Sequence, residues 1–402
     1  MSQPLDPCPC PGSPREVFLA FLKLGLSAFG GPVAHLGYFR TEFVERRRWL
    51  DDQAYADLVA LCQFLPGPAS SQVGMALGLG RAGWWGALAA WLGFTLPSAI
   101  ALVLFAQSLA LWSGRWQAGV LHGLQVLAVA VVAQALWGMS RALCPDRLRL
   151  GLALGSAMLV LGWSSPWSQL LAMVWGGVMA WWLLSLAPAA RGAERALGVG
   201  SAAGTRLLVV FGLLLLGLPL LAQFTGSPLW SMVAGVYQAG ALVFGGGHVV
   251  LPLLQTVVVP TGLIDGDTFV AGYGAAQAIP GPLFSFAAFL GAALPAPWGG
   301  WPGGALMLVA IFLPSFLLLA GALPHWQALR QHGAVQRAMA GVNAAVVGLL
   351  GAALYDPVGT SAIHSLWDAV AAVLAFGLLV IGRWPPVWVV AAAALLGGLL
   401  AA

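Results

Sequence analysis

The sequence predicts an all-α polytopic membrane protein of about thirteen spans, arranged as two homologous, inverted repeats with broken helices. Three observations predict it. Of 402 residues, 60 % are hydrophobic and 7 % charged, where soluble domains carry about a quarter charged. Apolar stretches of about 20 residues recur from Val17 to Leu400, each long enough to cross a hydrocarbon core of roughly 30 Å. Five short blocks return in the same order about 214 residues later.

The net charge of +4 comes mostly from arginines in short loops, and Lys23 is the only lysine. That pattern fits positive-inside orientation in a lipid bilayer. It excludes a nucleic-acid binder, which needs a basic patch on a soluble surface. Cys8 and Cys10 lie in a Pro-rich tail, and Cys62 and Cys144 are isolated, so neither a disulfide framework nor a metal site is indicated. Residues 1–15 lack the apolar core of a signal peptide and read as an unprocessed, disordered tail.

In chain order, hydropathy places the first repeat over residues 16–187, with spans near 17–38, 54–80, 83–111, 117–140, 148–164 and 167–187. A linker over 188–205 carries Arg191, Glu194 and Arg195. The second repeat, 206–402, has spans near 206–223, 230–255, 268–294, 303–323, 335–354, 366–382 and 385–401.

The repeated blocks define the architecture. Phe29-Gly30-Gly31 returns as Phe244-Gly245-Gly246, and Trp49-Leu50-Asp51 as Leu263-Ile264-Asp265. Gln63-Phe64-Leu65-Pro66-Gly67-Pro68 returns as Gln277-Ala278-Ile279-Pro280-Gly281-Pro282. Leu96-Pro97-Ser98 matches Leu313-Pro314-Ser315, and Gly123-Leu124-Gln125 matches Gly341-Val342-Asn343. Seven spans separate the first helix from its counterpart, so the halves should be inverted. Loop charge agrees in part: Arg40, Arg46, Arg47 and Arg48 follow the first span, while Thr256 to Gly262 has no basic residue. Arg141, Arg147, Arg149, Arg191, Arg195, Arg206, Arg330, Arg337 and Arg383 favour a cytoplasmic N-terminus, and the Arg40 to Arg48 cluster opposes it. Re-entrant hairpins at the Pro-interrupted spans would change the parity, and an interfacial helix over Arg40 to Trp49 is a second way out.

Pro66-Gly67-Pro68 and Pro280-Gly281-Pro282 sit inside long apolar spans, where proline removes a donor and forces a break. Unpaired backbone at bilayer depth is tolerated only against protein or a watery cavity. Corresponding broken helices in two repeats therefore point to a binding site. Pro68 and Pro282 suit the first position of a new helix. The free N–H groups of Ala69, Ser70 and Ser71, and of Leu283, Phe284 and Ser285, would then face the break at the positive end of a helix dipole, which is an anion site. Ser71 and Ser285 match across the repeat and are candidates to hold one tetrahedral dianion between them. The plainer alternative is a pair of kinks whose serines bond back to the preceding turn.

Phe29-Gly30-Gly31-Pro32 and Phe244-Gly245-Gly246-Gly247-His248 form a second pair of interruptions. They line the same cavity, or they only allow close helix packing. Lys23, inside the first span, is a candidate for charge on the anion path, with snorkelling as the alternative. His248 and Asp57 are candidates for proton coupling, and Arg81 for receiving an anion at the cavity mouth. Gln125 and Asn343 are paired polar groups within spans. No metal constellation, nucleophile elbow or P-loop is present, so no cofactor and no enzymatic activity is expected.

These residues resemble the chromate ion transporter family: Phe29-Gly30-Gly31, Arg40-Thr41-Glu42-Phe43-Val44, Arg48-Trp49-Leu50 and Gln63 to Pro68 in the first half, and Phe244 to Leu253 with Gln277 to Phe284 in the second. Pro32 departs from the fuller glycine pattern that Gly247 keeps. The resemblance implies a two-domain protein of the bacterial inner membrane that expels chromate from the cytoplasm, linked to protons and conferring resistance. Helix N-termini alone do not separate chromate from sulfate, so a transporter of sulfate or another oxyanion, or an anion channel, stays open. A homodimer is compatible with the sequence, which does not require one.

Overall fold

The computed structural model describes residues 12–29, 31–111, 115–163, 168–185, 199–244, 250–326 and 332–401, and every regular element among them is helical. Helix α1 (Pro14–Ser27) starts where Ser13 accepts the Glu16 N–H and Pro14 fills the first turn at no cost in hydrogen bonds. It ends at Ala28, whose backbone is extended. Helix α2 (Gly31–Phe39) runs on into a π turn, Arg40–Arg46. The chain turns back between the two: the Phe21 ring stacks on Phe43 at 4.7 Å and meets Phe39 edge-on at 5.4 Å. A continuous helix would hold Phe21 and Phe43 about 33 Å apart. At the open end of this hairpin the Arg47 guanidinium lies 3.9 Å from Glu16.

A second hairpin follows. Asp51 caps α3 (Asp52–Phe64) through the Ala54 N–H, the chain breaks at Pro66-Gly67-Pro68, and α4 (Ala69–Leu111) leads back to Arg81. Arg81 pairs with Glu16 at 3.3 Å, and its carbonyl accepts the Gly12 N–H. At Ala82 and Gly83 the backbone leaves helical geometry and α4 reverses, so that a Cβ on Gly78 would stand 2.9 Å from that of Ala90. Residues 17–38 and 54–80, expected as single spans, are thus pairs of helices that return to one side. Hydropathy sums the two arms of a hairpin as readily as one crossing.

Helices α5 (Arg115–Leu143), α6 (Arg147–Gly162) and α7 (Ser168–Leu183) complete the first half. Helix α8 (Ser201–Thr225) begins within the stretch expected as linker and exposes Leu213, Leu216 and Phe224, a surface suited to lipid. The second half then retraces the first. Helices α9 (Pro228–Leu242) and α10 (Val250–Val258) fold together, Gly235 against Val257. Helix α11 (Gly266–Ala276) is capped by Asp265 through the Thr268 N–H, as α3 is by Asp51. After Pro280-Gly281-Pro282 a 3₁₀ turn, Leu283–Ser285, leads into α12 (Phe286–Ala292) and α13 (Gly300–Ala322). Helices α14 (Gly333–Ala353), α15 (Leu366–Val380) and α16 (Pro386–Ala401) close the chain.

The halves interlock by exchange. Helix α5 packs against α15 and α16, and its counterpart α14 packs against α6 and α7. Contacts that cross between repeats in matched pairs mark a two-fold relation between them. Five helices among the described residues are long and apolar enough to cross a membrane: Ala69–Leu109, Ala118–Leu143, Ser201–Thr225, Gly300–His325 and Gly333–Ala362.

Candidate functional site

The same exchange governs the helix breaks. Gly67 has φ 123° and Gly281 φ 106°, a region that glycine enters without steric cost. Each thereby turns its N–H outward from its own hairpin. The Gly67 N–H donates to the Val243 carbonyl at 2.6 Å, and the Gly281 N–H to the Ala28 carbonyl at 3.0 Å. Ala28 and Val243 are matched residues that end α1 and α9. The tip of each Pro-Gly-Pro hairpin is therefore tied to the glycine break of the opposite half, and the interruptions meet at one place.

The two junctions differ in chemistry. The first bond of the α4 ladder is Gln72 N–H to Pro68 carbonyl at 2.9 Å, which leaves the N–H groups of Ala69, Ser70 and Ser71 without intrahelical partners. Ser70, Ser71 and Gln72 line this junction, all buried. At the second junction the corresponding residues are Phe284, Ser285 and Phe286, also buried. There Ser285 and Ser98 hydroxyls are 2.6 Å apart, and Ser98 donates to the Thr95 carbonyl at 2.9 Å, so Ser285 is the donor between them. The equivalent pair at the first junction is Ser71 and Ser315, and neither hydroxyl has a partner among the described residues. Gln72 folds back over the break. Its Nε2 donates to the Pro66 carbonyl at 2.8 Å, while Oε1 is buried without a partner. A Cβ on Gly67 would stand 2.6 Å from both Gln72 Nε2 and Ser315 Oγ; the bare backbone is what lets these groups close on the break.

His35, which sequence reasoning missed, joins the same junction. Its Nε2 is 3.2 Å from the Ala28 carbonyl, and its Nδ1 3.5 Å from Ser70 Oγ. The carbonyl only accepts, so Nε2 holds the hydrogen and Nδ1 faces the hydroxyl as an acceptor. Phe94 fixes the ring edge-on at 5.1 Å. The second half has Val250 at the matching position. The only sequence signal was an isolated polar ring soon after the glycine break.

Other expected residues lie elsewhere. Lys23 is exposed on α1. Arg81, paired with Glu16 and lying over Trp49 at 5.4 Å, stands about 18 Å along α4 from its start. Asp57 is half-buried on α3, and Asn343 is half-buried on α14 with Oδ1 lacking a hydrogen-bond partner among the described residues. Gln125 donates to the Asp267 carbonyl at 3.2 Å. Gly31, at φ 77°, opens α2. Gly30, Gly245, Gly246, Gly247 and His248 lie outside the described residues. No grouping of three or more His, Cys, Asp or Glu suited to a metal occurs among the described residues.

Comparison with known proteins identifies the family. The sequence profile of the family described as "Chromate transporter" matches twice, over residues 15–181 and 230–398, with α8 between the matches. The chain is 30 % identical over 362 residues to the "Chromate transport protein" of Pseudomonas aeruginosa, covering 87 % of this chain and 82 % of that one. It is 27 % identical over 391 residues to the "Chromate transport protein" of Cupriavidus metallidurans, covering 95 % and 92 %. To the "Probable chromate transport protein" of Synechococcus elongatus it is 26 % identical over 370 residues, covering 88 % and 86 %. No solved structure matches.

Proposed function

The chain belongs to the chromate transporter family, and from that premise we propose that it is a secondary active exporter that holds the oxyanion at the first Pro-Gly-Pro junction. One observation carries the placement: the N–H groups at the start of α4 that lack intrahelical partners, and the buried Ser71 and Ser315 hydroxyls that have no partner among the described residues, lie where the broken helices of both halves meet. Buried polar groups without partners cost free energy unless something pairs with them. An oxyanion accepts from all of them at once and gains from the helix dipole. Ser285, bonded to Ser98, plays no such part in this arrangement.

The repeats are inverted in this reading. The hairpins of the first half enter from the cytoplasmic face and those of the second from the opposite face, so the site lies near mid-membrane and alternating access exposes it to each side in turn. Export runs from cytoplasm to exterior across the bacterial inner membrane, is linked to protons and confers chromate resistance.

Chromate accumulation in everted vesicles under an imposed proton gradient tests this. Saturable uptake by the wild type, lowered about tenfold by Ser71→Ala, is expected from the loss of one hydrogen bond to a charged group. Uptake that neither saturates nor responds to the gradient would mean a channel. Full uptake by the Ser71→Ala protein would move the ion away from this junction.

A further inference from the structure

Gln72 bears on the question that helix N-termini leave open, which oxyanion is chosen. We propose that the first junction takes the oxyanion in its singly protonated form, with Gln72 Oε1 accepting the ion's own O–H. The inference rests on the ion lying at this junction, as proposed above.

The N–H groups of Ala69, Ser70 and Ser71 and the hydroxyls of Ser71 and Ser315 can all donate into the break. Gln72 Oε1 cannot. Its amide has one orientation, because the Pro66 carbonyl at 2.8 Å only accepts and therefore holds Nε2. Oε1 is left buried, with no partner among the described residues. A fully deprotonated dianion would set an acceptor against that oxygen and leave it unpaired, whereas a hydrogen oxyanion supplies the missing donor. A site built to pair a substrate O–H rejects the analogue that lacks it far more strongly than apolar contacts reject a misfit.

Charge points the same way. The field at the junction is that of one helix N-terminus, about half an elementary charge, a better match to a monoanion than to a dianion that must be stripped of water. Hydrogen chromate loses its proton near neutral pH, whereas hydrogen sulfate keeps its proton only in strong acid and is a dianion at neutral pH. The junction thus favours chromate over sulfate although the two ions share a shape. The substrate's own proton then leaves with the ion, and it is the inside-negative potential, acting on the single charge of the monoanion, that drives export.

The titratable groups on elements packed against α4 are Arg15, Glu16 and exposed Lys23 on α1, His35 and exposed Tyr38 on α2, exposed Asp52, half-buried Asp57 and buried Tyr55 and Cys62 on α3, and Asp267 and Tyr273 on α11; α12 and α13 carry none. His35 reaches the residues of the junction through Ser70.

Equilibrium binding of radiolabelled chromate to the purified full-length protein, from pH 6 to pH 8.5, tests the inference. Apparent affinity for total chromate should fall about tenfold per pH unit once hydrogen chromate is the minor species, because only that fraction binds. The same slope should persist in His35→Gln, a hundredfold excess of sulfate should not compete, and Gln72→Met should bind weakly with the slope flattened. Affinity in the wild type that is flat or rises with pH would overturn the inference, as would effective competition by sulfate. Loss of the slope in His35→Gln would place the proton on the imidazole and overturn it too. Unchanged binding by both Ser71→Ala and Ser315→Ala would instead remove the ion from this junction, and the reading on which the inference rests would fail with it.

Discussion

Ser98 and Ser315 occupy matched positions, yet one hydroxyl is bonded and the other is not. Their alanine variants should therefore part company. Ser98→Ala leaves the buried Ser285 hydroxyl without its acceptor and should cost about 1–3 kcal/mol, seen as a lower thermal midpoint, with chromate binding changed less than about threefold. Ser315→Ala removes a hydroxyl that has no partner among the described residues. Its midpoint should stay level or rise, while chromate binding falls about tenfold, the inverse relation expected where a site keeps groups poised for a ligand. A Ser315→Ala protein that is less stable and binds normally would show the hydroxyl to be structural. At this scale the sequence was legible where a residue type itself constrains the backbone, as Pro66 and Gly67 do. It was not legible for His35 or Gln72, whose importance lies in which neighbour each side chain reaches.

Helix existence was legible from apolar length, and the positions of the breaks from glycine and proline. Whether a broken helix continues or turns back was not, because that depends on which surface each arm finds to pack on. In the first half the arms find each other through Phe21, Phe39 and Phe43. Helix α1 also finds α4 at a crossing of two glycines: a Cβ on Gly25 would stand 2.7 Å from the Gly93 carbonyl oxygen, and one on Gly93 would stand 2.6 Å from that of Phe18. The second half repeats the crossing with Gly240 against Ile311. Such close backbone approach is how membrane helices gain packing without a hydrophobic drive between them. Gly93→Leu meets backbone atoms that cannot yield, so it should force α1 off α4 and destabilise the protein by more than about 3 kcal/mol. Gly83→Ala, at φ 62° and ψ -155° in open space, should cost only the backbone strain of about 1–3 kcal/mol. Thermal midpoints of the two in one detergent give the comparison, and equal or reversed shifts would mean that the crossing is not tightly packed.

For the whole molecule, the hairpins remove a conflict in the charge pattern. If residues 17–38 crossed the membrane, Arg40 to Arg48 would lie opposite the N-terminus and against the remaining arginines. With α1 and α2 folded together, Arg47 meets Glu16, and Arg40 pairs with Glu45 and Asp52 on the same side as Gly12 and Arg81. The positive-inside rule then gives one answer for the first half, a cytoplasmic N-terminus with the arginine cluster beside it. If α8 supplies the extra crossing of the proposed inverted arrangement, the same rule puts the arginine-free turn before α11 on the outside. Single cysteines at Thr41 and Asp267, both exposed, in a chain otherwise lacking reactive thiols, make this measurable with a membrane-impermeant thiol reagent on intact cells. Asp267→Cys should label within minutes and Thr41→Cys only after the membrane is opened. Labelling of both from one side would put the two hairpin sets on the same face, and the reciprocal bonds of Gly67 and Gly281 would then join parallel repeats rather than inverted ones. That outcome would also deprive the ion site of its alternating exposure, because a junction approached from one face by every hairpin has no second side to open to.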